Sequence, residues 1–169
     1  MYSALDIATW FLTEGEACIG AGISNMKLQK LLYYAQGAFL ALKNEALFKE
    51  DIRAWDHGPV VPQVYKKYKD FKSSVIKADG VVKLDIDDEY LLKEICDIYG
   101  SYSAIDLRNM SHEEGPWKDT KRYDVIDNQK IKDHFASKVF SSVLTDNVFD
   151  KIPVLEEKRN EKGRLVYPA

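Results

Sequence analysis

The chain has 169 residues, 46% of them hydrophobic and 30% charged, with a formal net charge of −3, the profile of one folded domain rather than of a disordered or fibrous chain. The acidic balance argues against a dedicated nucleic-acid binder. No run approaches the ~18 apolar residues of a membrane span, and Met1 leads into Ser3-Ala-Leu-Asp6 without a basic leader, so a cytoplasmic location is expected. Cys18 and Cys96 are too few and too far apart for a disulfide framework or a metal set, and their apolar neighbours make both buried, reduced thiols.

Ser3 with Asp6 three residues on reads as a capping pair, and Leu5, Ala8, Phe11 and Leu12 share a face, which predicts a helix from about Ala4 to Thr13. Gly15, Gly20 and Gly22 mark a loop but lack the Lys-Ser/Thr pair of a phosphate-binding loop. Ser24 then caps the strongest helical pattern, with Leu28, Leu31, Leu32, Ala35, Phe39 and Leu42 inside. Lys27 and Lys30 lie at the helix end that disfavours positive charge, so an acidic partner is expected for one of them, in this chain or on another protein.

From Asp51 to Phe71 the pattern reads strand, corner, helix. Ile52 and Ala54 alternate with polar residues, Gly58-Pro59 turns the chain, and Pro62 suits a first helical position. Val64, Tyr65, Tyr68 and Phe71 then fall on one face, with Lys66, Lys67, Lys69 and Lys72 around it. Val75–Ala78 and Val81–Ile86 flank Asp79-Gly80, a hairpin signature.

Asp87, Asp88 and Glu89 favour the start of a helix that carries Leu91, Leu92, Ile95, Ile98 and Tyr99 and closes at Gly100. Ser103 with Asp106 restarts a helix bearing Ile105, Leu107 and Met110, Gly115-Pro116 ends it and presents Trp117, and Asp127 caps a last helix with Ile131, Phe135, Val139 and Leu144 inside. The expectation is a mainly α fold: a single compact domain of five to six helices with a small β hairpin over residues 1–150. A charged tail over 151–169 has little apolar period and is expected to be mobile or partner-dependent.

Little in the chain suggests chemistry. His112-Glu113 begins like a zinc-protease helix, but position 116, where the second histidine belongs, is Pro, and no Cys neighbours His57, His112 or His134. No metal or other cofactor is expected. Neither a nucleophile elbow nor a poised cysteine is present, so no enzymatic activity is expected. The lysines interleaved with aromatics from Tyr65 to Lys72 read either as a solvated helix face or as a nucleic-acid track. Trp55 and Trp117, each beside a Gly-Pro step, are core plugs or interface anchors.

Three blocks carry a resemblance to a known family: Lys27-Leu-Gln-Lys-Leu-Leu-Tyr-Tyr-Ala-Gln36, Ile52-Arg-Ala-Trp-Asp-His-Gly-Pro-Val-Val-Pro62 followed by Val64-Tyr65, and Leu107 to His112-Glu113 with Pro116-Trp117. Together they resemble the Panacea domain, also called the SocA-like antitoxin or phage-associated protein family. The resemblance implies a helical cytoplasmic protein, bacterial or prophage-borne, that neutralises a cognate protein toxin by binding it and has no enzymatic activity. In one branch of the family the protein instead delivers its toxin to an ATP-dependent protease. A third alternative is a nucleic-acid-binding regulator using Lys66, Lys67, Lys69 and Lys72.

If Gly58-Pro59 aims the side chains around it, Trp55, His57 and Tyr65 form one aromatic patch for the partner. The resemblance adds Lys30, Tyr34, His112 and Trp117 as candidate partner-binding residues.

Overall fold

The computed structural model describes residues 1–145 except Ala21 and Asp79, and only the backbone at Cys18 and over 139–145. In chain order the elements are α1 (Ala4–Thr13), the single turn α2 (Glu16–Ile19), α3 (Asn25–Lys43), β1 (Arg53–Trp55), β2 (Gly58–Val60), α4 (Pro62–Tyr68), α5 (Ile86–Tyr99), α6 (Ala104–Glu113), the single turn α7 (Gly115–Lys118) and α8 (Asn128–Thr145). The fold is mainly helical with one small antiparallel hairpin. No described helix is long and apolar enough to cross a membrane. By its contacts the chain divides into Met1–Ser137 and Lys138–Ala169; of the second part only the end of α8 is described.

Helix starts follow local chemistry. Ser3 and Asp6 form a reciprocal capping box on α1, Ser103 and Asp106 form another on α6, and Ser24 Oγ accepts the Lys27 N–H at the front of α3. Asp127 Oδ1 accepts the N–H groups of Gln129 and Lys130 at the start of α8.

Helix α3 is the hub of the first unit, packing against α1, α5, α6 and β2. Leu28, Leu31, Leu32 and Ala35 are fully buried and Phe39 nearly so. Its polar residues are buried too, and they hold neighbouring segments. Gln36 Oε1 accepts the N–H groups of Leu47 and Phe48 at 2.9 and 3.2 Å while its amide donates to the Phe48 carbonyl. Gln29 Oε1 accepts the Val61 N–H at 2.9 Å, and Lys27 Nζ donates to the Gly100 carbonyl at 2.7 Å. Buried polar groups require such partners, so one helix face combines packing with the anchoring of three loops.

Several expectations are corrected. The hairpin is β1–β2, not Val75–Ile86; residues 75–78 and 80–85 carry no strand, and Asp79 of the expected turn lies outside the described residues. Gly58-Pro59 is therefore not the corner but the start of β2, and the turn is Asp56-His57. Within the described residues Lys27 and Lys30 donate to backbone carbonyls, so of the two sources expected for an acidic partner only another protein is left. Leu42, Ile98 and Ile105 point outward, each more than half exposed. Cys96 is buried, as expected, whereas the Cys18 side chain, those of Val139 and Leu144, and the expected tail 151–169 lie outside the described residues.

Candidate functional site

The hairpin is short because its last pair, Trp55 opposite Gly58, is closed by the two residues Asp56 and His57. Gly58 has φ +102°, a region L side chains rarely adopt, and a β-carbon there would fall 2.6 Å from Lys30 Nζ and 2.9 Å from Ser111 Oγ. Both the backbone angle and the neighbours thus demand glycine. The other edge of β1 is covered by the segment 123–126: Ala54 N–H donates to the Asp124 carbonyl, and Tyr123 N–H and Ile126 N–H donate to the Ala54 and Ile52 carbonyls. An otherwise unpaired strand edge is satisfied within the chain.

Between the hairpin, α4 and the first turns of α3 lies a groove of about 450 Å³. Asn25, Met26, Gln29 and Lys30 line it from α3, Trp55, Asp56, His57 and Val60 from the hairpin, Tyr65, Lys69 and Lys72 from the α4 region, and Tyr123 from the covering segment. Tyr65 meets Trp55 edge to face, ring centroids 5.0 Å apart, and keeps 39% of its surface exposed. Asn25 donates to the Tyr65 carbonyl and accepts from Gln29, which locks the start of α3 to α4.

Lys30 is almost wholly buried, and its Nζ donates to the Pro59 carbonyl at 2.8 Å. Burial, reinforced by the Arg108 charge, lowers its pKa to about 7. Asp56 is engaged on both oxygens, accepting from Tyr123 OH at 2.8 Å and pairing with Arg122 Nε at 3.4 Å.

Behind the hairpin stands a second aromatic group. His112 stacks on Trp117 at 3.8 Å with planes 5° apart, the Arg122 guanidinium lies 4.0 Å from the indole centroid, and Trp117 Nε1 donates to the Trp55 carbonyl at 2.9 Å. Partial burial and the nearby Arg108, Lys30, Arg122 and His57 charges lower the His112 pKa, so the neutral ring is favoured. Deeper in the core, Tyr33 and Tyr34 hydroxyls approach Glu114 at 2.8 and 3.4 Å, and Tyr34 stacks on Tyr99 at 4.1 Å.

The structure therefore brings Trp55, His57, Tyr65 and Lys30 to one groove. Trp117 and His112 support the hairpin from behind, and Tyr34, fully buried, stands apart from the groove. Sequence reasoning missed Tyr123, Asn25 and Gln29 as groove residues. Tyr123 sits in an irregular segment with φ +68°, outside any periodic pattern, but Asn25 and Gln29, polar residues one helical turn apart just after a cap, were a usable signal. Among the described residues no group of three His, Cys, Asp or Glu is placed to hold a metal ion.

A family model described as "Antitoxin SocA-like, Panacea domain" matches residues 28–118. Among known proteins, the one named Antitoxin SocA from Caulobacter vibrioides (strain NA1000 / CB15N) is 34% identical over 120 residues, covering 63% of this chain and 64% of that relative. The chain thus spans a little under two thirds of the relative's length. No solved structure matches.

Proposed function

This chain belongs to the antitoxin SocA-like, Panacea-domain family, and on that premise we propose that it neutralises a protein toxin by direct, non-enzymatic binding. The observation that carries the reading is the family match over residues 28–118, which contains Lys30, the whole hairpin and Tyr65, and so most of the groove. The groove has the make-up of a protein-binding patch: a partly exposed Trp–Tyr pair at its centre, exposed polar residues at its rim, and a floor fixed by buried hydrogen bonds. A partner seated there is held in a fixed pose, and its active surface is covered without any bond being made or broken. Trp55, His57 and Tyr65 make the contact; Trp117 and His112 hold the Trp55 backbone in place.

The test is genetic and biochemical together. A small reading frame next to the gene is expressed alone and with this chain. The expected result is growth arrest by the neighbour, rescue on co-expression, and copurification of the two as a stoichiometric complex. Rescue without a complex, or no rescue, overturns the reading. A toxin half-life that shortens on co-expression assigns delivery to an ATP-dependent protease in place of occlusion.

A further inference from the structure

Three lysines line the groove, and none pairs with a described carboxylate. Lys69 and Lys72 are exposed at the rim, whereas Lys30 is buried at the floor. An ammonium group carries three N–H donors, and the Pro59 carbonyl takes one of those of Lys30. Burying a charge that lacks an opposite charge is costly, and an incoming anion would offset that cost. The one carboxylate on the groove wall, Asp56, is held by Arg122 and Tyr123 and turned to their use. Beside the lysines stands the apolar surface of Trp55 and Tyr65.

We propose that the groove receives a segment of the partner protein that presents a carboxylate next to an aromatic or aliphatic side chain. The acid group lies between Lys30 and the rim lysines, and the apolar neighbour packs on the Trp55–Tyr65 pair. This deepens the antitoxin reading and rests on it for the statement that the segment belongs to a toxin; the chemistry of the groove does not depend on it. A protein segment fits better than a nucleic acid. A phosphate backbone is held by cations strung along a track, whereas these lysines converge on one groove of about 450 Å³ in a chain whose net charge is −3.

A phage-displayed library of short random peptides, panned on the purified full chain, is the test. The enriched peptides are expected to carry Asp or Glu beside an aromatic or aliphatic residue. A labelled enriched peptide loses at least about tenfold in affinity against Lys69→Glu/Lys72→Glu, an exposed pair whose reversal places like charge against the acid. Lys49→Glu, on the surface away from the groove, leaves the affinity unchanged. No enrichment, enrichment of peptides without an acid, or equal binding by the double variant overturns the proposal. So does displacement of the peptide by a single-stranded oligonucleotide that itself binds more tightly. The two readings separate cleanly. Peptides that behave as expected while no neighbouring toxin is neutralised leave the groove standing and remove the antitoxin reading; a toxin neutralised equally well by the double variant does the reverse.

Discussion

Lys30 Nζ lies where a side chain on residue 58 would have to begin, 2.6 Å from the ideal β-carbon position of Gly58. The hairpin and the hub helix therefore meet through a residue with no side chain and one whose long side chain runs inward. A lysine tip can usually swing aside, but this one is buried and bonded to Pro59, with Ser111 Oγ 2.9 Å from the same point. Gly58→Ala combines that crowding with a left-handed φ. Its expected cost is about 2–4 kcal/mol in urea denaturation; a midpoint within error of the parent would show that the hairpin is not held in this geometry.

Burial of Lys30 links stability to pH. Its folded pKa falls to about 7 while the unfolded lysine stays near its ordinary value. Below pH 7 both states hold the proton and the burial penalty is complete. As pH rises above 7 the folded state gives up its proton first, the unfolded state binds more protons, and stability increases, with a slope of at most about 1.4 kcal/mol per pH unit. The gain ends where the buried tyrosines intervene. Burial beside Glu114 raises the pKa of Tyr33 and of Tyr34, so unfolding at alkaline pH releases their protons and stability falls. The stability of the parent is expected to climb from pH 7 to about 9.5, and Lys30→Met is expected to flatten that climb. Parallel pH profiles of the two proteins would contradict it.

Gly37 sets two effects of opposite sign against each other. In a helix interior Gly→Ala ordinarily stabilises by roughly 0.5–1 kcal/mol. Here an added β-carbon would stand 2.4 Å from the ring of Phe135, which is itself 4% exposed and cannot move freely. Overpacking of this kind costs typically about 1–3 kcal/mol, so the clash wins and Gly37→Ala is expected to destabilise. A raised melting temperature would mean that α3 and the Phe135 turn of α8 do not approach this closely.

How much of this was legible depends on how local each signal is. The caps at Ser3, Ser24 and Ser103 were readable because capping involves residues three apart. The hairpin was misplaced because Asp79-Gly80 matches the usual two-residue turn and Asp56-His57 does not. Pro59 also argued against a strand, since it donates no N–H. The structure removes that objection. Pro59 stands opposite Ala54, whose own N–H and carbonyl bond to Asp124 and Tyr123 on the other side, so this pair needs no bond from proline. The groove's aromatic wall was visible as Trp55 and Tyr65. Of its floor, Lys30 stood out as a lysine at the helix end that disfavours its charge. Its burial and the bonds that fix Lys30 and Gln29 were hidden, because their partners, the Pro59 carbonyl and the Val61 N–H, come from another segment.

The exposed groove residues and the buried motif residues should separate when each is changed. His57 is exposed in the hairpin turn, and Tyr65 is a partly exposed ring set edge-on to Trp55. Truncating either one leaves the Gly58 backbone and the β1–β2 pairing intact. His57→Ala and Tyr65→Ala are expected to keep the parent's melting temperature within a few degrees while losing about 1–2 kcal/mol of partner affinity, roughly tenfold in Kd, and with it rescue of growth. Tyr34→Phe gives the opposite pattern. It removes a buried hydroxyl that faces Glu114, so about 1 kcal/mol of stability is expected to go while affinity stays. Isothermal titration beside thermal unfolding reads both axes for all three variants. Unchanged affinity in His57→Ala and Tyr65→Ala, with both still folded, would move the binding surface off the groove; loss of affinity in a folded Tyr34→Phe would bring the Glu114 network into it.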